Sequence, residues 1–138
     1  MSIVRDRELV CAGGFGYADL ESERKPDEHT LYRVASITKT FTGTAIFQFR
    51  DRGRLNLDDP VVKHIGEFAD VEARAGNIEA VTLRRLMCHH SGLIVEAPGD
   101  QWEMLELPGI EEILKVLPDV EVVIDPDLAF KYSNLAFA

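Results

Sequence analysis

A predicted helix with a serine and a lysine in its first turn limits the possible folds of this chain more than any other feature. Residues 31–35 form a short apolar approach to Ser36-Ile37-Thr38-Lys39, and the helical pattern continues through residues 36–52 until Gly53 ends it. In the first helical turn, unpaired backbone N–H groups and the helix dipole favour developing negative charge. Ser36 and Lys39 share one face of that turn, so the lysine amine can take the proton that makes the serine nucleophilic. The alternative is a capping serine beside a solvated lysine.

Tyr132-Ser133-Asn134 is the second candidate segment. It follows a loop that Pro126 and its flanking aspartates indicate. Residues i and i+2 of extended backbone face the same way, so we predict that Tyr132 and Asn134 face one pocket. A phenol can relay a proton, and an amide can hold a lysine or a substrate carbonyl. The alternative is an ordinary loop tyrosine beside a turn asparagine.

Adjacent histidines mark a third segment. A helix is predicted from the N-cap Thr82 to His90, with Gly92 as its stop signal. His89 and His90 follow Cys88, but no second Cys/His pair lies at zinc-ligand spacing, so we predict neither a metal site nor a cofactor. We expect His89 to stabilise the end of the helix instead.

In this order, the segments resemble the serine beta-lactamase and penicillin-binding-protein superfamily. The likeness is greatest to its class C branch, which includes beta-lactamase-related esterases, D-aminopeptidases and carboxypeptidases. It covers nearly the whole chain. It rests on Ser36-x-x-Lys39, on residues 86–93 (Leu-Met-Cys-His-His-Ser-Gly-Leu), on Tyr132-Ser133-Asn134, and on the connecting residues 14–19 and 53–61.

The resemblance implies a serine hydrolase that forms an acyl-enzyme with an ester, a beta-lactam or a D-amino-acid peptide or amide. Ser36 would attack the carbonyl carbon, and its backbone N–H would serve the oxyanion hole. Lys39 would take or relay the hydroxyl proton, and Tyr132 would pass a proton to the leaving group. Asn134 would orient Lys39 or the substrate amide. The alternative is a non-catalytic fragment that serves as a binding or assembly module.

The family also carries a third motif, of Lys-Thr-Gly or His-x-Gly type, on a strand beside the nucleophile. No such motif follows Asn134 here. We therefore expect residues 1–138 to be a partial domain that lacks the C-terminal strands. Losing one oxyanion donor costs about 100- to 1,000-fold in rate, so activity should be feeble. An open hairpin edge should favour self-association or recruitment of the missing C-terminal portion.

The predicted fold class is α+β: a mainly helical lobe with a small antiparallel hairpin, which makes an incomplete beta-lactamase/transpeptidase-like fold. Apolar residues spaced four apart give the nucleophile helix one stripe, at Ile37, Phe41, Ala45 and Phe49. The other predicted segments are hairpin strands at 2–4 and 9–17, an ambiguous apolar stretch at 61–68, a loop at 94–108 anchored by Trp102, a helix at 110–117 and a strand at 120–124.

Composition limits the partners. The 138 residues are 46% hydrophobic and 28% charged, typical of a soluble globular domain or part of one. Residues 94–138 carry 2 Lys/Arg against 10 Asp/Glu, most of the net charge of −9, which disfavours nucleic acid and anionic membranes. No long apolar run or signal-peptide core occurs, so we expect a cytoplasmic protein unless an upstream signal peptide exists. Cys11 and Cys88 suit a reducing compartment or incidental buried thiols rather than a disulfide framework.

Overall fold

An antiparallel hairpin begins the chain. A computed structural model describes residues 1–98 and 108–138, and its first unit is Met1–Ser36. Strand β1 (Ser2–Arg5) pairs with β2 (Glu8–Ala12). Asp6 and Arg7 between them have φ values of 53° and 72°, the geometry of a type I′ turn, whose twist matches that of paired strands.

The hairpin confirms the predicted pairing but is shorter than the sequence suggested. Strand β2 ends at Ala12 instead of continuing to residue 17, because Gly13 and Gly14 interrupt the β-forming pattern. The last contacts of the ladder join Met1 and Gly13, whose backbone groups exchange hydrogen bonds of 2.8 and 2.9 Å. All strand residues of the hairpin are exposed, and a two-stranded ribbon of this kind is marginally stable in water.

The helix predicted at residues 36–52 is confirmed from residue 38 onward, in the second unit, Ile37–Ala138, and Ser36 precedes it rather than lying in its first turn. A 3-10 turn, Ala35–Ile37, leads into helix α1 (Thr38–Asp51). Gly53 ends the helix with φ at +67°, a left-handed conformation that glycine adopts without steric cost. Its N–H donates to the Arg50 carbonyl, and the Arg54 N–H donates to the Phe49 carbonyl, which together form a Schellman motif.

The apolar stripe of α1 is not buried, contrary to what a helical stripe normally indicates. No residue of the helix is buried, and Phe41 is 70% exposed. Periodicity identifies the residues that share a face, but it does not identify what covers that face.

Two further helices lie close to their predicted positions. Helix α2 (Leu83–Met87) begins at Thr82, whose side chain accepts a hydrogen bond from the Arg85 N–H as an N-cap. It ends before residue 90 because His89 takes a left-handed conformation, with φ at 60°. Helix α3 (Ile110–Lys115) also ends earlier than predicted, where Pro118 joins a 3-10 turn.

The hydrophobic core belongs to the second unit. Strands β3 (Glu72–Ala73) and β4 (Glu121–Val122) pair in parallel, so the predicted strand at 120–124 is confirmed over two residues. The ambiguous stretch at 61–68 forms 3-10 turns rather than one element. The 3-10 turns of this unit are Val61–Lys63, Gly66–Asp70, Ile78–Ala80, Leu117–Asp119 and Leu135–Phe137. The buried core residues are Val61, Phe68, Val71, Val81, Leu93, Leu117, Val120 and Val122.

Several expectations concern single side chains. Cys11 and Cys88 are both free and exposed, so the expectation of buried thiols is wrong. Trp102, the expected anchor of the loop at 94–108, lies outside the described residues.

Within residues 1–98 and 108–138, every helix is too short or too polar to cross a lipid bilayer.

Candidate active site

Ser36 follows a strained residue. Ala35 has φ at +46°, in the left-handed region that alanine rarely adopts, and it begins the 3-10 turn that contains Ser36. Residues held in such conformations cost about 1–3 kcal/mol and cluster at functional sites. Ser36 is the last residue of the first unit and is exposed, and Lys39 lies three residues further on, in the first turn of α1.

Lys39 contacts residues that lie more than 90 positions away in the sequence. Its Nζ donates a hydrogen bond of 2.6 Å to the side-chain oxygen of Asn134, and this contact is partly buried. The same Nζ lies 5.1 Å from the ring centroid of Tyr132 and 5.6 Å from that of Phe137. Both distances are within the range in which an aromatic ring attracts a cation.

Asn134 has one amide orientation that suits both of its neighbours. Its Nδ2 donates to Glu96 Oε1 at 2.5 Å, while its Oδ1 accepts from Lys39. A carboxylate only accepts hydrogen bonds, and the lysine amine acts here as a donor. If the amide were rotated, its NH₂ group would face the donor Lys39 and its oxygen would face the acceptor Glu96, so both hydrogen bonds would be lost. Backbone contacts support the arrangement, because the N–H groups of Asn134 and Leu135 both donate to the Val95 carbonyl.

His89 holds the tyrosine segment from both sides of Tyr132. Its carbonyl accepts from the Lys131 N–H at 2.8 Å, and its Nδ1 accepts from the Ser133 N–H at 3.3 Å. Its ring centroid lies 4.3 Å from that of Tyr132. The expected structural role of His89 therefore extends beyond the end of α2.

The environment of His89 favours the neutral imidazole. Burial lowers its pKa from 6.5, and the nearby charges of Lys39 and His90 lower it further. The Nδ1 atom must also be unprotonated to accept from Ser133. The lowered pKa and the geometry thus favour the same neutral ring, and the contact with Ser133 assigns its proton to Nε2.

Two nearby serines have structural roles. Ser133 is fully buried, and its hydroxyl donates to the Ile94 carbonyl at 2.7 Å and accepts from the Ala136 N–H at 3.2 Å. Ser91 is also fully buried, and its Oγ accepts from the Leu93 N–H. Neither hydroxyl has the solvent access that Ser36 has.

A cavity of about 250 Å³ lies beside Asn134 and Glu96. The other lining residues in the described part of the chain are apolar, so a small apolar group with one polar edge could occupy the cavity. That lining consists of Ala97, Pro108, Ile113, Leu135 and Ala138. In the described part of the chain, no group of three or more His, Cys, Asp or Glu side chains is placed to hold a metal ion.

The second unit thus brings together three of the four predicted site residues: Lys39, Tyr132 and Asn134. They do not meet in the predicted manner, because Asn134 has helical rather than extended backbone, with φ at −72° and ψ at −38°. Sequence reasoning gave no role to Glu96. The sequence alone does not reveal the contact of Glu96 with Asn134, because it depends on the backbone pairing of Val95 with Asn134.

Known proteins are similar to this chain over nearly its whole length. The Beta-lactamase family profile matches residues 1–138. Among the curated relatives, "Protein flp" of Staphylococcus aureus (strain COL) is 30% identical over 135 residues, which is 98% of this chain. The chain spans 27% of the length of that relative.

Solved structures show the same likeness. The octameric penicillin-binding protein homologue from Pyrococcus abyssi is 30% identical, with a TM-score of 0.67 over 98% of this chain and 31% of its own. A D-stereospecific amidohydrolase from Streptomyces sp. is 30% identical, with a TM-score of 0.60 over 77% of this chain and 34% of its own. A class C beta-lactamase from Rhodobacter sphaeroides shares the fold at 24% identity, with a TM-score of 0.64 over 88% of this chain and 31% of its own.

Proposed function

The chain belongs to the beta-lactamase family, and we propose that it carries the nucleophile and proton-transfer residues of a serine hydrolase that works through an acyl-enzyme. The observation that carries the proposal is the hydrogen bond between Lys39 and Asn134, made beside Tyr132. Two separate sequence motifs meet at one amine, because Tyr132 and Asn134 of one motif both contact Lys39 of the other. Ser36 lies three residues before the lysine that bears this amine.

In the proposed reaction, the Ser36 oxygen attacks the substrate carbonyl carbon, and its proton passes to Lys39 in the neutral form. A neutral amine that donates an N–H to Asn134 still has a lone pair for this proton. The backbone N–H of Ser36 stabilises the oxyanion. Collapse of the tetrahedral intermediate breaks the bond to the leaving group, which receives a proton through Tyr132, and water then hydrolyses the serine ester.

We propose an ester, a beta-lactam or a D-amino-acid amide or peptide as the substrate. The similar proteins support this range, since one is a D-stereospecific amidohydrolase and another is a penicillin-binding protein homologue. The likeness to hydrolases does not favour the alternative, a non-catalytic binding or assembly module. The cavity beside Asn134 would suit a small apolar acyl substituent.

The proposal is tested by labelling with a fluorophosphonate, which reacts once and therefore reveals even slow nucleophiles. We expect one adduct on the peptide that contains Ser36, and Ser36→Ala should abolish it. Ser22→Ala, at another exposed serine of the first unit, is the matched control and should label at the wild-type rate. An adduct on Ser91 or Ser133 would contradict the assignment of Ser36 as the nucleophile.

A further inference from the structure

We propose that Glu96 is a positioning residue for Lys39 that acts through the side-chain amide of Asn134. The inference rests on the proposed function, because it concerns the same amine. Glu96 contacts the nitrogen end of the amide, and the lysine contacts the oxygen end. The effect of Glu96 is to select which end of the Asn134 amide faces the lysine.

Hydrogen-bond polarity gives the physical reason. Glu96 Oε1 accepts from Asn134 Nδ2, so the other end of the amide, Oδ1, faces Lys39 Nζ. Without an acceptor at residue 96, the amide loses one of the two contacts that distinguish its orientations, and only the contact with Lys39 still opposes rotation. Rotation by half a turn would then present an N–H group to Lys39, and two donors would face each other.

The backbone keeps the two side chains adjacent without help from the contact itself. The Val95 carbonyl accepts from the Asn134 N–H at 2.7 Å, and the Ile94 carbonyl accepts from the Ser133 hydroxyl at 2.7 Å. Glu96 lies at the edge of the cavity. Truncating its side chain should therefore weaken the preference for one amide orientation while leaving the fold in place.

The first test compares Glu96→Ala with Glu96→Gln. A glutamine still offers a carbonyl oxygen to Asn134, whereas alanine offers none. We expect Glu96→Ala to lower the rate of Ser36 acylation by a fluorophosphonate roughly tenfold, as the loss of a hydrogen bond to a charged group would. Glu96→Gln should recover most of that loss. Glu111→Ala, at an exposed glutamate of α3, is the matched control.

Exchanging the hydrogen-bond donor and acceptor between residues 96 and 134 tests their contact directly. Asn134→Asp should label more slowly than Glu96→Ala, because it places two carboxylates against each other. Adding Glu96→Gln gives the introduced carboxylate an amide donor on one side and Lys39 on the other. The double variant should therefore label at least roughly tenfold faster than Asn134→Asp alone. A double variant as slow as Asn134→Asp, or Glu96→Ala at the wild-type rate, would overturn the proposal.

A readout that does not depend on turnover separates this inference from the proposed function. The side-chain ¹⁵N–¹H signals of Asn134 should move in Glu96→Ala, while the melting temperature stays near that of Glu111→Ala. If wild-type protein gives no Ser36 adduct, the proposed function fails, and the Asn134 signals then decide the Glu96 contact alone. Signals unchanged by Glu96→Ala would overturn the contact in either case.

Discussion

His89 is expected to contribute more to stability than its position in a turn suggests. His89→Ala removes the acceptor for the Ser133 N–H, which costs about 1–3 kcal/mol. It also removes the ring contact with Tyr132, worth about 0.5–1.5 kcal/mol. The expected loss in the free energy of unfolding is thus about 1.5–4.5 kcal/mol, before the cost of alanine in a left-handed conformation is added.

The same contact predicts a pH dependence with a definite sign. The pKa of His89 is lowered in the folded protein, chiefly by burial, so the folded state binds fewer protons at this site than the unfolded state does. The contribution of neutral His89 to stability is therefore fully present above 6.5, its ordinary value, and is lost as the pH falls below that value. Protonated Nδ1 can no longer accept from Ser133.

Thermal unfolding followed by circular dichroism between about pH 5 and pH 8 tests both statements, since this is the range in which histidine titrates. His89→Asn tolerates the left-handed backbone and keeps an acceptor, but it does not titrate, so its melting temperature should depend less on pH than that of wild type. His90→Ala is the matched control and should lose less stability than His89→Ala. Wild-type stability in His89→Ala, or an unchanged pH slope in His89→Asn, would refute the reasoning.

Three further outcomes are expected. Lys39→Ala and Tyr132→Phe should each strongly slow turnover of a p-nitrophenyl ester. The double variant should lose little more activity than the worse single variant, because the two residues act as a unit. Losses of activity that multiply would mean that the two residues belong to separate sites. Gly92→Ala should lower the free energy of unfolding in urea by more than about 3 kcal/mol, because the φ of Gly92 is +74° and an added Cβ would overlap the Ile124 carbonyl. Gly43→Ala, in α1, should instead raise the free energy of unfolding by about 0.5–1 kcal/mol, because alanine favours a helix more than glycine does. Exposed apolar side chains of the hairpin and α1 should drive self-association in sedimentation, and a monomer at all concentrations would contradict this.

Local sequence patterns predicted the positions of the helices and the hairpin, because the signals that begin and end these elements lie in neighbouring residues. The N-cap at Thr82 and the stop at Gly53 depend on side chains and dihedral angles of neighbouring residues. The exposure of Phe41 could not be predicted in the same way, because burial depends on which element packs against a face. The early end of α2 was also missed, since the left-handed His89 is stabilised by contacts to residues 131 and 133, far away in sequence.

The candidate site was predictable to the extent that the sequence motifs contain residues of suitable chemistry. Lys39, Tyr132 and Asn134 were identified from residue type, spacing and the family resemblance, and the fold brings them together. Their geometry was not predictable. The contacts of Asn134 with Lys39 and Glu96 span 95 and 38 positions, and they arise from backbone pairing that no local pattern specifies.

The central claim is that Ser36 forms an ester during the reaction. The most direct measurement is peptide mapping by mass spectrometry after brief exposure to p-nitrophenyl acetate and an acid quench. We expect one acetyl group on the Ser36 hydroxyl in wild type, none in Ser36→Ala, and slower formation in Lys39→Ala. Acetylation confined to Lys39 or to another serine, with Ser36 unmodified, would contradict it.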